Sequence, residues 1–298
     1  MNGNGHVPVL IQEVLDYLDI TRKGLYIDCT LGLGGHSLEI LKRNPQASLI
    51  GFDIDEKSLL EAKKRMRVYS DRINLLHSDF RYLPDLRIDF QKVKGILLDL
   101  GLSSYQLDSP ERGFSFNLEG PLDMRMDLRN KITAFKIIHK YSEYRLAQIF
   151  RDFGEIKPAK KLDREIVSRR KVTRIETTTE LRRIIEEIFR WRPQKGKIHP
   201  AAKVFQALRI EINQELKGLS EFLERITKKL PKKSRIAVIS FHSLEDRIIK
   251  HTFLDLAAPE DYHPFLKILT KKPVTPSEDE IALNFRSRSA KLRVAERI

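Results

Sequence analysis

The sequence predicts an α/β protein with a doubly wound, mostly parallel, Rossmann-like sheet and an all-helical segment inserted into it. Three observations lead there. Short, almost wholly apolar runs alternate with helical patterns through the first third of the chain. Parallel strands covered on both faces read as such runs, and the crossovers between them need helices. The first run breaks into a glycine-rich turn, Thr30-Leu31-Gly32-Leu33-Gly34-Gly35-His36, and the next run ends on an acid, Asp53. After Gly101 the rhythm gives way to a helical pattern and returns only near Ser234.

The elements come in order. Residues 25–28 form the first strand, 35–43 a helix, 48–53 the second strand and 57–69 a second helix. Strands at 73–77 and 93–100 come next. The opening strand–turn–helix–strand unit suits a ribose-bearing cofactor. Glycine lets the turn approach the ligand without a Cβ, and an acid ending the second strand receives the ribose hydroxyls. A dinucleotide fits poorly: the third glycine of G-x-G-x-x-G falls at Ser37, and Asp28 ends the strand just before a loop where a pyrophosphate prefers no acid. S-adenosylmethionine has the ribose, no phosphate, and cationic groups that welcome an acid.

Residues 102–129 read as loop, with Ser109-Pro110 and Gly120-Pro121 as breakers. From 133 to 212 the pattern is helical. Pro158 opens a helix over 159–171, Thr177-x-x-Glu180 is a capping box opening 181–191, and Pro200 begins a helix with Val204, Leu208 and Ile212 on one face. A strand at 234–241, a helix at 243–253, a polar loop at 275–280 and closing strands at 265–270 and 291–298 complete the chain. The expected domains are 1–112 and 213–298 for the α/β part, with 113–212 as the insert. The insert leaves after strand four, at the carboxyl edge where open α/β sheets bind ligands.

Charge supports this division. The 298 residues carry a net charge of +14. Residues 113–212 hold 23 Lys+Arg against 13 Asp+Glu, a net of +10, while the rest holds 32 against 28. A thermophile-like surface explains high total charge but not this segregation; a polyanionic partner explains both. The single cysteine, Cys29, excludes a disulfide framework and fits a reducing cytoplasm, reading as a small buried strand residue. No apolar run of about 18 residues and no signal peptide appear, so neither membrane nor export is expected. His36, His77, His199, His242 and His251 are scattered without paired ligand spacing, so no metal is expected.

Chemistry is expected at two strand ends. Asp99, ending strand four, stands where a ligand sits in this fold. It suits a hydrogen bond from a nucleophilic amine or a contact with the cofactor; capping the following turn is the plainer alternative. His242, ending strand five, should lie beside it as a proton acceptor or base contact, with Ser243 and Asp246 as a capping pair. A Ser/His hydrolase does not fit, because there is no G-x-S-x-G elbow. For a polyanion, the candidates are Arg169-Arg170-Lys171, Lys203 and Arg209, and Arg286 and Arg288 beside Phe285, the last pair as a phosphate clamp. An ordinary solvated charge cluster is the competing reading for each.

Several motifs carry a further likeness: Thr30 to His36; Leu97-Leu98-Asp99-Leu100-Gly101-Leu102-Ser103-Ser104-Tyr105-Gln106-Leu107-Asp108; Glu111-Arg112-Gly113-Phe114-Ser115-Phe116; Pro121-Leu122-Asp123-Met124-Arg125-Met126; His199-Pro200-Ala201-Ala202-Lys203-Val204-Phe205-Gln206-Ala207-Leu208-Arg209; and Ser240-Phe241-His242-Ser243-Leu244-Glu245-Asp246-Arg247. Together they closely resemble the RsmH/MraW family over nearly the whole chain. That resemblance implies a class I methyltransferase domain with an inserted helical domain. It implies S-adenosylmethionine-dependent methylation of N4 of a cytidine in 16S ribosomal RNA, within the small ribosomal subunit. Carried over residue by residue, Gly34, Gly35 and His36 match the methionine-side loop and Asp53 the ribose acid. Phe80 matches the residue beside the adenine, Asp79 a partner for its amino group, and Asp99 and Gln106 further cofactor contacts. Amino-methylating enzymes of DNA often carry Asp/Asn-Pro-Pro-aromatic after strand four; here the slot reads Asp99-Leu100-Gly101-Leu102. Asp99 is therefore the first candidate to accept from the amine, with Ser103, Ser104 and His242 as helpers. Two rivals are set aside. An inactive RNA-binding module would have spoiled the cofactor loop, and a nicotinamide oxidoreductase would need the glycine that Ser37 replaces.

Overall fold

Each apolar run becomes a strand of one sheet. The computed structural model describes residues 8–157, 160–194, 197–259 and 263–298. Its strands are β1 (Gly24–Asp28), β2 (Ala47–Asp53), β3 (Ile73–His77), β4 (Val93–Asp99), β5 (Arg235–Ser240), β6 (Leu266–Ile268) and β7 (Lys291–Arg297). They lie in the order β3-β2-β1-β4-β5-β7-β6. The first five are parallel, and β7 runs antiparallel between β5 and β6. The order reverses between β1 and β4, which places a ligand crevice at their carboxyl ends.

The chain divides into two compact units. One comprises the chain up to Gly101 together with Leu216–Ile298; the other is Leu102–Glu215. In the first, α1 (Ile11–Leu18), α2 (Gly35–Arg43) and α3 (Glu56–Arg65) precede the division. Successive β4 side chains point to opposite faces: Ile96 and Leu98 enter one core with Phe52, Phe222 and Leu223, and Leu97 enters another with Leu15, Leu18 and Tyr26. The sequence pattern did not predict α1. Its stripe is short, and its N-cap is Leu10 in a left-handed conformation with no side-chain cap to signal it.

The second unit contains α4 (Ser104–Asp108), α5 (Ala134–Lys140), α6 (Glu143–Asp152), α7 (Lys160–Arg169), α8 (Thr178–Phe189) and α9 (Pro200–Asn213). It starts before residue 113 because Arg112 ties its own segment to residues 124–126. Arg112 Nη2 donates to the carbonyls of Arg125 and Met126 at 2.9 and 3.0 Å, and its own carbonyl accepts from Met124 N at 3.0 Å. The stretch expected as loop thus holds α4 and a 3-10 turn at Pro110–Arg112. The expected helix start at Pro158 and Ala159 lies outside the described residues. The capping box at Thr177 and Glu180 forms with both bonds, and Pro200 takes the first turn of α9. Val204, Leu208 and Ile212 are all buried.

Past Glu215 the chain returns to the first unit with α10 (Leu219–Lys229), α11 (Ser243–Ala257) and α12 (Glu278–Leu283). The sequence pattern assigned nothing to α10, which buries Leu219, Phe222, Leu223 and Ile226. Where a loop was expected at 275–280, Ser277 caps α12 by accepting from Glu280 N. The cap of α11 is shifted by one residue from the expected Ser243/Asp246 pair. His242 is the extended N-cap residue, so Glu245 occupies the third helical position and closes the box. Asp246 instead receives Arg293 Nε at 2.6 Å and Lys291 Nζ at 3.2 Å from β7.

Candidate active site

Three adjacent strands end on acids: β2 on Asp53, β1 on Asp28 and β4 on Asp99. Asp53 shapes the glycine turn. Its Oδ2 accepts from Gly32 N at 2.7 Å, and its Oδ1 accepts from Asp55 N at 2.8 Å. Gly32 sits at φ +52°, in the left-handed region where glycine is favoured. Asp28 is fully buried; Ser37 Oγ donates to its Oδ2 at 2.6 Å and Thr30 N to its Oδ1 at 3.2 Å. Ser37, the residue in place of a third glycine, therefore has a positive role, because it satisfies a buried acid. Burial pushes both Asp28 and Asp53 up to about 6.

Asp99 is held differently. Its backbone N donates to Thr30 Oγ1 at 2.6 Å, which fixes the residue, but its carboxyl has few partners. Oδ1 is buried and without a hydrogen-bond partner; Oδ2 lies 3.6 Å from His36 Nδ1. The side chain as a whole stays 24% exposed, so one side of it is open. Burial, then the charges of Asp28 and Glu245, hold this carboxyl well above the usual carboxylate range. An unpaired buried acceptor is costly. The carboxylate cluster is therefore built to meet a donor or a cation, and a ribose diol at Asp53 with positive charge near Asp99 fits this donor set.

The neighbouring candidates have structural roles of their own. His36 is buried, and its Nε2 faces the Val9 carbonyl at 2.9 Å; a carbonyl only accepts, so Nε2 carries a proton. Gly34 sits at φ +75°, and a Cβ there would lie 2.9 Å from Met66 Cε. A Cβ on Gly35 would lie 2.6 Å from Pro8 Cγ. These glycines are thus already required by packing against α3 and the N-terminal segment. Nothing in the local sequence signals the Pro8 and Val9 contacts, which join residues far apart along the chain. Phe80 comes after β3, its ring edge-on to Phe222 of α10 at 4.8 Å and 75°. Asp79 caps the 3-10 turn Phe80–Asp85 through Arg81 N at 2.9 Å and holds the Arg81 guanidinium, so its carboxylate is already neutralised. His242 is half-buried: its Nδ1 accepts from Glu245 N at 3.4 Å, and its Nε2 lies 3.2 Å from Glu245 Oε1. It is first of all a helix cap. Asp28, read from the sequence as the strand-ending acid that disfavours a pyrophosphate but not as a site residue, joins the cluster through its charge.

Ser103, Ser104 and Gln106 belong to the helical unit, at α4. Ser103 and Gln106 close a capping box: Gln106 N donates to Ser103 Oγ at 3.2 Å, and Ser103 N donates to Gln106 Oε1 at 3.1 Å. Ser104 is half-buried in the first turn. The RNA candidates separate by partner. Arg169 is held by Glu165 at 2.7 Å and Glu187 at 2.6 Å, and Arg170 donates to the Ile138 carbonyl at 2.6 Å. Arg209 pairs with Glu215 at 2.8 Å and Lys203 with Glu155 at 3.5 Å. Lys171 is exposed and makes no ion pair among the described residues. In the α/β unit, Arg286 and Arg288 are exposed, and Arg288 lies over the Phe285 ring at 4.6 Å.

Comparison with known proteins adds to this geometry. The sequence profile of the MraW methylase family matches residues 3–298. The chain is similar to proteins named ribosomal RNA small subunit methyltransferase H. That of Trichodesmium erythraeum is 44% identical over 98% of this chain and 99% of the relative. Those of Caldicellulosiruptor saccharolyticus and Sulfurihydrogenibium azorense are each 46% identical over the same shares.

Proposed function

The chain belongs to the MraW methylase family, and we propose that it methylates the N4 amine of a cytidine in 16S ribosomal RNA within the small ribosomal subunit, using S-adenosylmethionine. When bound, the cofactor supplies a methyl group made electrophilic by a sulfonium charge. The residues of this chain supply the rest. Asp53 would receive the ribose hydroxyls, and Phe80 would flank the adenine. The acids at the ends of β1 and β4 favour a cationic ligand over a phosphorylated one.

The N4 lone pair of cytosine is delocalised into the ring, so the amine is a poor nucleophile. An acceptor at its N–H localises the pair and aligns it, and then takes the proton that must leave when the N–C bond forms. The observation that carries this reading is the Asp99 carboxyl at the end of β4, enclosed at Oδ1 but 24% exposed as a side chain, so that one side of it is open. A carboxyl with a raised proton affinity is the stronger base once it is ionised, and its open side is the part assigned to the amine. The backbone bond to Thr30 Oγ1 keeps the group in place. Of the helpers expected from the sequence, His242 lies in the same unit as Asp99. The target base must be splayed out of the RNA to be reached, and the basic helical unit supplies RNA affinity. The methyl is already activated by the sulfonium, so this chemistry needs no metal. No helix among the described residues is long and apolar enough to cross a membrane, and the setting we propose is the cytoplasm.

The test is transfer of labelled methyl from S-adenosylmethionine to unmethylated small subunits, with nucleoside analysis of the product. N4-methylcytidine is the expected result. Label on a ring carbon or a ribose would overturn the reading, as would label on protein alone.

A further inference from the structure

The helical unit contains a cleft of about 390 Å³, lined by Arg182, Glu186, Trp191, Gln194, Lys197 and His199 among others. That volume lies within the ~300–1,000 Å³ usual for small-molecule sites. Trp191 is the only tryptophan in the chain. Its indole meets His199 edge-on at 5.2 Å and 61°, and Phe116 stacks on His199 at 5.1 Å and 22°. His199 is itself fixed at both nitrogens. Nδ1 caps α9 by accepting from Ala201 N at 3.1 Å, and Nε2 faces Glu186 Oε1 at 2.9 Å. Arg182 Nε donates to the same Glu186 oxygen at 2.7 Å. A rigid aromatic wall thus stands beside a carboxylate and two cations. Lys197, on the rim, is exposed and makes no ion pair among the described residues.

An aromatic face, an acceptor and an available cation are the three features a single nucleotide requires. The face stacks on the base, the acceptor reads an amino edge, and the cation meets phosphate. We propose that this cleft binds one unstacked nucleotide of the substrate RNA, with the base on Trp191 and a phosphate on Lys197. Because the wall is held by the cap and by Glu186 without RNA, little ordering cost remains for binding. The proposal rests on the RNA reading above and extends it to a site built wholly within the helical unit.

The single tryptophan makes the test direct. A 16S rRNA transcript is titrated into the full-length protein while Trp191 emission and RNA binding are monitored together. Quenching that saturates with RNA binding is expected. Trp191→Ala should weaken RNA binding about 5- to 150-fold, equivalent to ~1–3 kcal/mol for base–aromatic stacking. Trp191→Phe should recover part of that loss, and Lys197→Glu should weaken binding and flatten its salt dependence. S-adenosylmethionine affinity should stay at the parent value in all three. Unchanged emission at saturating RNA overturns the proposal, and this arm uses the unaltered chain, so a misfolded variant cannot obscure it. Parent-level RNA affinity in folded Trp191→Ala overturns it as well. Methyl transfer to unmethylated small subunits, measured alongside, separates the two readings: transfer with silent emission rejects only the cleft, whereas absence of transfer to the subunits rejects the methyltransferase reading.

Discussion

Asp53 and Asp99 both end strands, yet their surroundings assign them different work. Both Asp53 oxygens already hold backbone N–H groups, so the carboxylate keeps the glycine turn in shape, and its remaining lone pairs are those we propose for the ribose. Asp53→Ala should weaken S-adenosylmethionine binding by roughly 1.5–3 kcal/mol, the range for a hydrogen bond to a charged group. It should also lower the melting temperature slightly, because Gly32 N loses its acceptor. Calorimetry giving parent affinity in the folded variant would end the ribose assignment. Asp99, whose side chain is open on one side at the end of β4, is the group we propose to act on the amine. Asp99→Asn keeps the shape and removes the base, so single-turnover methyl transfer at saturating cofactor should slow by ~100-fold or more. The sign of the pH dependence comes from the raised proton affinity: Asp99 works ionised, so the parent rate falls as pH drops through a value above the ordinary carboxylate range. The variant should lose that limb. Full recovery of rate at saturating cofactor would instead make Asp99 a binding residue.

Among the elements, the glycine turn and the basic run each gain a sharper expectation from their packing. Gly34 combines φ +75° with Met66 Cε only 2.9 Å from where a Cβ would stand. Gly34→Ala should therefore destabilise the fold by about 1–3 kcal/mol, the cost of strained backbone, measurable by denaturant unfolding without cofactor. A neutral change would mean that the turn relaxes freely. In the run that ends α7, Arg169 and Arg170 are engaged by Glu165, Glu187 and the Ile138 carbonyl. Their replacement would loosen α7 and α8, so it cannot report RNA contact alone. Lys171→Glu is the cleaner probe: it should weaken RNA binding and reduce the salt slope by about one counterion while leaving stability unchanged. Equal slopes would take Lys171 off the RNA surface.

For the molecule as a whole, burying acids at the sheet's carboxyl edge links folding to cofactor binding and pH. Asp28 has a folded value of about 6, above the ~3.9 of an unfolded chain. The folded state then binds more protons between these values. Its stability contribution is fully present below the unfolded value and is lost as pH rises through about 6, a loss on the order of 3 kcal/mol. A cationic ligand reverses this by favouring the ionised acids. The gain in melting temperature from saturating S-adenosylmethionine should therefore be larger near pH 7 than near pH 5. Thermal unfolding with and without cofactor at both values checks this, and a pH-independent gain would separate the acid cluster from cofactor binding.

The alternating strands and helices of the α/β unit, the basic insertion and the places of Asp53 and Asp99 at strand ends were all legible in the residues alone. These depend on period, turn chemistry and local charge, which act over a few residues. The capping box at Thr177 and Glu180 and the proline that opens α9 were legible too, because capping is a contact within one turn. Packing determined the rest. It set where α1 and α10 form, since their apolar faces have meaning only against the sheet. It set Gly34 against Met66, Gly35 against Pro8 and Ser37 on Asp28, and it made His242 with Glu245 the cap of α11. It also left Lys171 open to a partner while engaging Arg169 and Arg170 within the helical unit. A residue's type shows which groups it can bond, but which of them reaches it first is settled by segments distant in sequence.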